Sequence, residues 1–335
     1  MKKHILFGAR LPGDPHKKIP ETFTFGLPEE RVFSQKELES RAGEANALVT
    51  LLSHRVDGSF LDRFPNVKII SNYAVGFNNI DVGEATKRGV IVTNTPDVLT
   101  ETTADLAWAL MMAAARRIVE ADGFMREGKF IGWTPWLFLG SDIWGKCLGI
   151  IGFGRIGRAV ARRAAGFGMR VLYYDPEVDV DGLDSGLSGG RGGGLRVEKV
   201  SLEDLLKESD FVSIHCPLVP ATRHLIGPDE LSCMKSSSFL INTARGPVVD
   251  EKALVEALNK GVIAGAGLDV YEKEPETTQG LLELSNVVVA PHIGSGTRET
   301  REKMALMAVN AVLDFFSSRR PENVVNPEAL NQRAQ

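Results

Sequence analysis

Residues 152–157, near the middle of the chain, carry the glycine spacing G-x-G-x-x-G. An apolar segment, 147–151, precedes them and has the character of a buried strand, and a helical pattern follows them. A second predicted strand, 170–174, leads to Asp175, eighteen residues after Gly157. Strand, turn, helix, strand and acid in this order are typical of a βαβ unit that binds a dinucleotide.

Each glycine of this turn has a steric reason to be there. Gly152 allows the tight turn, Gly154 lets a pyrophosphate approach the backbone, and Gly157 lets the helix pack closely on the strand. The phosphates would lie at the positive N-terminus of the helix. Asp175 would accept hydrogen bonds from the ribose hydroxyls and repel a 2′-phosphate, which favours NAD(H), with NADP(H) as the alternative. A glycine-rich turn without a ligand is the structural alternative.

Length and composition limit the class of protein. A chain of 335 residues is long enough for two domains, and 43% hydrophobic and 24% charged residues are typical of a globular protein. The net charge of −4 favours neither nucleic acid nor an anionic membrane as a partner. Three cysteines without paired spacing indicate a reducing compartment. No metal site is expected. With no signal-peptide pattern, and with the longest apolar stretch only at 106–115, we expect a cytoplasmic protein.

Strand and helix patterns alternate on both sides of the glycine turn, which predicts parallel sheets covered by helices. The segment 182–194 has seven glycines in thirteen residues and is interpreted as a surface insertion. The other predicted strands are 5–8, 47–52, 67–71, 90–92, 211–215, 239–242, 264–269 and 287–290. The other predicted helices are 34–42, 81–87, 104–121 (capped by Thr102 or Thr103), 202–206, 251–260 and 298–316.

Three charged or titratable residues in the second half each follow a predicted strand. They are Arg245, Glu274 and His292. Ligands of open parallel sheets bind beyond the carboxyl ends of the strands, so these side chains are expected to converge on one site. Taken singly, each has an ordinary structural explanation: a surface cation, a solvated turn residue or a packed histidine. His54 also follows a predicted strand and is a candidate to border the substrate.

The three side chains fit hydride transfer to a 2-keto acid. Arg245 can bind a carboxylate with its bidentate fork and polarise the neighbouring carbonyl group. His292 can give a proton to the carbonyl oxygen, or take it in the reverse direction. Glu274 would fix the imidazole tautomer and favour its protonated form.

At these residues the chain resembles the D-isomer-specific 2-hydroxyacid dehydrogenase family. Four segments match the family's motifs: 152–157 the cofactor signature, 241–246 the Arg motif, 267–275 the Glu motif and 291–295 the His motif. Within the family the chain is most similar to the branch that reduces glyoxylate and hydroxypyruvate. The resemblance implies an NAD(P)-dependent oxidoreductase that acts on a CH–OH group.

The resemblance also implies an architecture. Two Rossmann/flavodoxin-like α/β domains with parallel sheets would enclose an active site in the cleft between them. Residues 1–99 and 294–335 would form the substrate domain, and residues 100–293 the NAD-binding domain. The segment 133–140 resembles a dimer arm that presents Trp133 or Trp136 to the neighbouring active site, which implies a homodimer.

Further site residues follow from the same resemblance. The backbone amides of the loop 72–81 would bind the substrate carboxylate. The implied substrate-binding residues are Val75, Gly76, Arg245, His292 and Ser295. The implied cofactor-binding residues are Gly152, Gly154, Arg155, Ile156, Gly157, Asp175, Cys216, Pro217, Thr222, Thr243, Ala244, Arg245, Asp269, His292 and Gly294.

Several related activities share these residues. D-lactate, D-glycerate, 3-phosphoglycerate and phosphite dehydrogenases are the alternatives within the family. A phosphorylated substrate would favour basic residues near 75–78, and that segment has none. A different class, corepressor-like proteins that use NAD(H) to control dimerisation and partner binding, keeps the same three residues. The loop 72–81 and the tryptophan arm favour the reductase.

Overall fold

The computed structural model describes residues 2–180 and 196–331. This part of the chain forms two compact units. The first unit contains the described residues up to Leu99 and from Ser295 onwards, and the second is Thr100–Gly294. The predicted boundary lies one residue earlier, after residue 293. The glycine-rich segment 182–194 lies outside the described residues.

The first unit is built on a five-stranded parallel sheet in the order β2-β1-β3-β4-β5. The strands are β1 Lys3–Phe7, β2 Phe23–Gly26, β3 Ala47–Thr50, β4 Ile69–Asn72 and β5 Ile91–Thr93. The helices are α1 Gln35–Arg41, α2 Gly58–Arg63, α3 Val82–Lys87, α10 Arg298–Phe316 and α11 Glu328–Asn331. The edge strand β2 was missed from the sequence because its short FTFG segment is only partly buried and lacks an apolar run.

Short polar side chains explain where the helices of the first unit begin. Ser34 caps α1 in a reciprocal capping box with Glu37. Asp57, Asp81 and Thr297 accept first-turn N–H groups of α2, α3 and α10. These caps satisfy backbone donors that have no partner within the helix. Apolar residues of α1, α2 and α3 form one buried cluster with apolar residues of the sheet.

The second unit contains a seven-stranded parallel sheet in the order β12-β11-β10-β9-β6-β7-β8. The strands are β6 Cys147–Ile151, β7 Arg170–Tyr174, β8 Val197–Lys199, β9 Phe211–Ile214, β10 Phe239–Asn242, β11 Gly265–Leu268 and β12 Val287–Val289. The helices are α4 Thr100–Ala115, α5 Ile118–Arg126, α6 Arg155–Ala164, α7 Leu202–Glu208, α8 Pro228–Cys233 and α9 Glu251–Asn259. The two parallel sheets confirm the predicted α/β fold class.

The strand order of the second unit reverses next to β6. After β6 the chain adds β7 and β8 on one side, then returns to add β9 to β12 on the other. Such a switch point leaves a crevice beyond the carboxyl ends of the two central strands, where parallel sheets bind ligands. The glycine turn follows β6, and Cys216 follows β9, so both lie at this crevice.

One predicted helix is wrong in its extent. A single helix over 104–121 was expected, but α4 ends at Ala115 and α5 begins at Ile118. Arg117 between them adopts a left-handed backbone with φ 53°, which interrupts the helix. The predicted caps Thr102 and Thr103 both lie inside α4, and the Thr103 hydroxyl donates to the Gly294 carbonyl.

Two kinds of feature are absent from residues 2–180 and 196–331. No helix in this part of the chain is both long and apolar enough to cross a membrane. Nor do three or more His, Cys, Asp or Glu side chains come together there as a metal site would need.

Candidate active site

The glycine turn is packed so closely that side chains would not fit at two of its three glycines. Gly152 has φ 90°, and a Cβ there would lie 2.4 Å from the backbone nitrogen of Cys216. A Cβ on Gly157 would lie 2.2 Å from the carbonyl oxygen of Gly152. Gly154 instead faces open space, with no atom within 4 Å of a Cβ position. The turn is thus tight toward the protein and open outward at its middle glycine.

The open side of this turn suits a diphosphate. Helix α6 begins at Arg155, and its N-cap, Gly154, has no side chain to cap the first-turn N–H groups. Arg155 and Ile156 are the first two residues of the helix, so their N–H groups point toward the site. A dinucleotide's pyrophosphate would bind at this helix N-terminus.

Asp175 lies at the end of β7 and organises the turn beside it. One carboxylate oxygen accepts the N–H of Phe153 at 2.7 Å. The other accepts the N–H groups of Glu177 and Val178 at 2.9 and 3.1 Å. The carboxylate therefore links the end of β7 to the glycine turn, in addition to any bond it would make to a ribose.

Three of the predicted cofactor-binding residues, Thr243, Cys216 and Thr222, differ in their surroundings. The buried hydroxyl of Thr243 has no hydrogen-bond partner within the described residues, so it is available to a ligand. Cys216 is buried against Gly152, and burial raises its pKa to about 11, which favours the protonated thiol at neutral pH. Thr222 instead holds its own turn, because its hydroxyl donates to the carbonyl of Pro217 at 2.6 Å and accepts the Val219 N–H.

Arg245 lies in a turn pressed against the segment that carries Glu274. A Cβ added to Gly246 would lie 1.9 Å from the carbonyl carbon and oxygen of Tyr271, so only glycine fits there. The Arg245 guanidinium donates to the Ala244 carbonyl at 2.6 Å. Burial lowers the pKa of Arg245, and this effect outweighs the opposite effect of the Glu274 charge. A guanidinium stays charged even so, and its partial burial strengthens its attraction for a carboxylate.

His292 and Glu274 form a close pair. The Nδ1 atom of His292 lies 2.8 Å from a carboxylate oxygen of Glu274. The carboxylate can only accept, so Nδ1 carries the proton and Nε2 faces away from Glu274. About a third of each side chain is exposed, so a small substrate can reach the imidazole.

The environment of Glu274 keeps it ionised. Burial would raise the pKa of Glu274, but the hydrogen bond and charge of His292, the Tyr271 N–H and the charge of Arg245 outweigh it, and the pKa is lowered. The Tyr271 N–H donates to the other Glu274 oxygen at 3.1 Å. A carboxylate that remains charged stabilises an adjacent imidazolium. The structure thus brings the three predicted catalytic residues into one site.

Asp269 holds the backbone that presents His292. It is fully buried at the end of β11, and its two carboxylate oxygens accept the N–H groups of Ile293 and Gly294, each at 2.7 Å. The His292 N–H donates to the Asp269 carbonyl at 2.9 Å, and His292 has φ 54°. Burial raises the pKa of Asp269 in spite of these hydrogen bonds. The sequence predicted a cofactor contact for Asp269 and missed this backbone role.

The predicted substrate loop lies in the first unit and is fixed from its carbonyl side. The side chain of Asn94 donates to the carbonyl of Val75, and that of Asn72 donates to the carbonyl of Gly76, both at 2.8 Å. The N–H groups of Val75 and Gly76 are not among the donors found within the described residues. The carbonyl of Ser295 accepts from the guanidinium of Arg301 at 3.1 Å. Substrate binding by Val75, Gly76 and Ser295 stays a prediction.

His54 does not border a site. Its ring is completely buried in the first unit, and both ring nitrogens bond to backbone groups, the N–H of Leu51 and the carbonyl of Phe33. The sequence signal, a histidine after a strand, was the same as for His292. Only the packing around the ring separates the two.

Comparisons with known proteins identify the family. Residues 108–294 match the model of the D-isomer specific 2-hydroxyacid dehydrogenase NAD binding domain. A glyoxylate reductase of Korarchaeum cryptofilum is 49% identical, over 99% of this chain and 98% of its own length. The chain belongs to this dehydrogenase family. It is therefore a nicotinamide-dependent oxidoreductase that acts on a CH–OH group.

Solved structures agree with this assignment. The crystal structure of a Thermus thermophilus protein has a TM-score of 0.88 and 42% identity, over 96% of this chain and 99% of that one. An NADPH-dependent glyoxylate/hydroxypyruvate reductase of Sinorhizobium meliloti, solved with NADP and malonate, has a TM-score of 0.84 and 30% identity, over 98% of each chain. The NAD binding domain of this dehydrogenase ends at Gly294, where the second unit also ends.

Proposed function

We propose that this dehydrogenase reduces a small 2-keto acid, glyoxylate or hydroxypyruvate, to the D-2-hydroxy acid, in a reversible hydride transfer. The observation that carries the proposal is the 2.8 Å pair of His292 and Glu274 beside the Arg245 turn. The pair supplies a proton donor, and Arg245 supplies a cation for a carboxylate. The Korarchaeum relative, named a glyoxylate reductase, supports the choice of substrate.

Each residue of the trio has a separate task in this reaction. When bound, the nicotinamide cofactor supplies or accepts the hydride. Arg245 binds the substrate carboxylate and polarises the carbonyl group next to it. His292 gives a proton from Nε2 to the carbonyl oxygen, or takes it back in the oxidative direction. Glu274 holds Nδ1–H and stabilises the imidazolium that donates the proton.

We infer a preference for NAD(H) over NADP(H) from Asp175. Its carboxylate lies at the end of β7, where the adenosine ribose of a dinucleotide would bind, and its charge would repel a 2′-phosphate. The Sinorhizobium relative is NADPH-dependent, so the cofactor preference of the present chain has to be measured directly. We expect a higher kcat/KM with NADH than with NADPH. The substitution Asp175→Ser should reduce the ratio of these two kcat/KM values. A clear NADPH preference of the unaltered protein would contradict the inference.

We also infer a homodimer. The segment after α5 exposes large apolar side chains, with Ile131, Trp133 and Trp136 at 99%, 81% and 80% exposure. Such a surface is typical of a protein interface. Sedimentation should give the mass of a dimer, and Ile131→Asp should give monomers. Separate Trp133→Ala and Trp136→Ala variants would show which ring affects the neighbouring active site.

One experiment tests the function directly. NADH oxidation should be followed with a panel of 2-keto acids that includes glyoxylate, hydroxypyruvate, pyruvate and 3-phosphohydroxypyruvate. We expect the fastest turnover with one of the first two. Turnover of another acid would assign a different dehydrogenase of the family. If NADH binds but none of these acids is reduced, the proposed substrates are wrong, and the NAD(H)-dependent binding function becomes the alternative to test.

We also propose a cytoplasmic location, because the three cysteines of the protein are free thiols, as expected in a reducing compartment.

A further inference from the structure

Glu251 is a buried carboxylate outside the predicted site. It is the first residue of α9, and only 4% of it is exposed. One carboxylate oxygen accepts the N–H of Glu272 at 2.8 Å, and the other accepts the N–H of Thr278 at 2.5 Å. Burying an acidic side chain is costly unless hydrogen bonds compensate for it, and here two backbone donors do so.

The two donors lie on either side of Glu274. Glu272 precedes it by two residues and Thr278 follows it by four, so Glu251 holds both ends of this turn. The Glu251 N–H also points back to the carboxylate of Glu272 at 3.4 Å. The N-cap residue Asp250 fixes the start of α9, because its side chain accepts the Ala253 N–H. Glu251 thus connects the turn to a capped helix.

The other two residues of the trio are held in the same way. Asp269 accepts two N–H groups directly after His292. Asn242, also buried, donates to the carbonyl of Arg245 and accepts the N–H of Ala244, both at 3.0 Å. Arg245, Glu274 and His292 therefore each belong to a backbone segment that one buried polar side chain holds at two points.

A second contact holds the Glu274 turn from its exposed side. The Nε2 atom of His224 lies 2.9 Å from a carboxylate oxygen of Glu272, and the His224 N–H donates to the Pro247 carbonyl at 2.8 Å. Pro247 follows Gly246, where a Cβ would overlap the Tyr271 carbonyl. His224 therefore ties the turn after Arg245 to the turn that carries Glu274.

We propose that Glu251 is a positioning residue for Glu274: it does not touch the substrate, but it sets the distance from Glu274 to His292. This inference rests on the proposed function, because it assigns Glu251 a part in the same proton transfer. Small displacements of a catalytic group have large effects on rate, since an error of about 1 Å can cost roughly a hundredfold. The side-chain hydrogen bonds that hold the backbone at Arg245 and at the glycine turn come from Asn242 and Asp175 and not from Glu251, so substrate and cofactor binding should be spared.

The test is a double-mutant cycle between Glu251→Gln and Glu274→Gln. We expect Glu251→Gln to lower kcat roughly tenfold, with the KM for the keto acid and the Kd for NADH within about twofold of the unaltered protein. In the Glu274→Gln background the same change should lower kcat by less than about twofold, because its effect passes through Glu274. Glu230→Gln is the matched control, since Glu230 also accepts a backbone N–H, that of Gly227, in the same unit.

If Glu251→Gln does not fold, a second variant can still test the proposal. His224→Gln changes a more exposed side chain, and we expect a smaller loss of kcat that also vanishes in the Glu274→Gln background. Equal losses in both backgrounds, or an unchanged kcat in both variants, would overturn the inference. If the unaltered protein reduces no keto acid, the proposed function fails instead.

Discussion

His54 and His292 each follow a strand of a parallel sheet, one in each unit, and their surroundings differ in two respects. His54 is fully buried between the carbonyl of Phe33 and the N–H of Leu51. Nε2 must therefore donate and Nδ1 must accept, which fixes a neutral ring. His292 is a third exposed, and Nδ1 bonds to a carboxylate that stabilises the charged ring. Burial and partner type, rather than position after a strand, separate a structural histidine from one suited to proton transfer.

The largest expected effect follows removal of the exposed imidazole. His292→Ala should lower kcat by about 10²–10⁴-fold, since positioned acid–base catalysis contributes about that much. The KM for the keto acid and the Kd for NADH should change little, because Arg245 and the glycine turn remain. Steady-state kinetics and NADH titration would measure both. Turnover equal to that of the unaltered protein would refute the role assigned to His292.

The buried histidine should affect stability instead. His54→Ala leaves the Leu51 N–H and the Phe33 carbonyl without partners, which should lower the free energy of unfolding by about 2–3 kcal/mol. Urea unfolding would measure this loss, and kcat of the folded protein should stay within about twofold of its original value. His4→Ala, at a less buried ring bonded to Thr24, is the control and should cost less. A large loss of kcat with an unchanged free energy of unfolding would contradict the structural role assigned to His54.

The carboxylate partner is the next feature to test. Glu274→Gln keeps an acceptor for Nδ1–H but removes the charge that stabilises the imidazolium. We expect kcat to fall roughly tenfold, which corresponds to about 1.4 kcal/mol of transition-state stabilisation. Glu276→Gln, an exposed residue of the same turn, is the control and should leave kcat unchanged. Equal effects of the two changes would mean that the charge on Glu274 is not needed.

The smallest effect is a dependence of stability on pH. Burial lowers the pKa of His54 from 6.5, although the Phe33 carbonyl opposes this. Below pH 6.5 the unfolded chain therefore binds more protons at His54 than the folded chain does. The contribution of the neutral His54 ring to the free energy of unfolding is complete above pH 6.5 and is lost as the pH falls toward the folded-state pKa. Between about pH 7.5 and about pH 6 the loss from His54 is at most about 0.8 kcal/mol. Urea unfolding at both pH values should show a smaller loss in His54→Ala.

His215 leaves part of this pH dependence in the variant. Burial lowers the pKa of His215 to about 3, so this ring also stays neutral in the folded protein and destabilises it in acid. The double variant His54→Ala, His215→Ala should lose more of the dependence than either single change. A stability that increases toward acid would contradict both assignments.

Local patterns predicted the cofactor turn but not the residues that hold the site. The glycine spacing and the strand–helix alternation depend on near neighbours, so they were readable from the sequence. Glu251 resembles any acidic residue in the first turn of a helix, and its partners lie 21 and 27 residues further on. The motifs that contain Asn242 and Asp269 were found, but neither motif indicated that these side chains hold the backbone of the site. Their partners depend on how the strands pack.

The fold class, the glycine turn and the candidates Arg245, Glu274 and His292 could be predicted from the amino-acid sequence. These features follow from local spacing and from the rule that the carboxyl ends of parallel strands meet at one edge of the sheet. Three features became visible only in the folded protein: which histidine is buried and neutral, where α4 ends, and that Glu251 holds the turn of Glu274. Burial and hydrogen bonding between segments far apart in the chain are properties of the packed molecule. The same type of side chain is therefore a buried structural group in one unit and the proposed proton donor in the other.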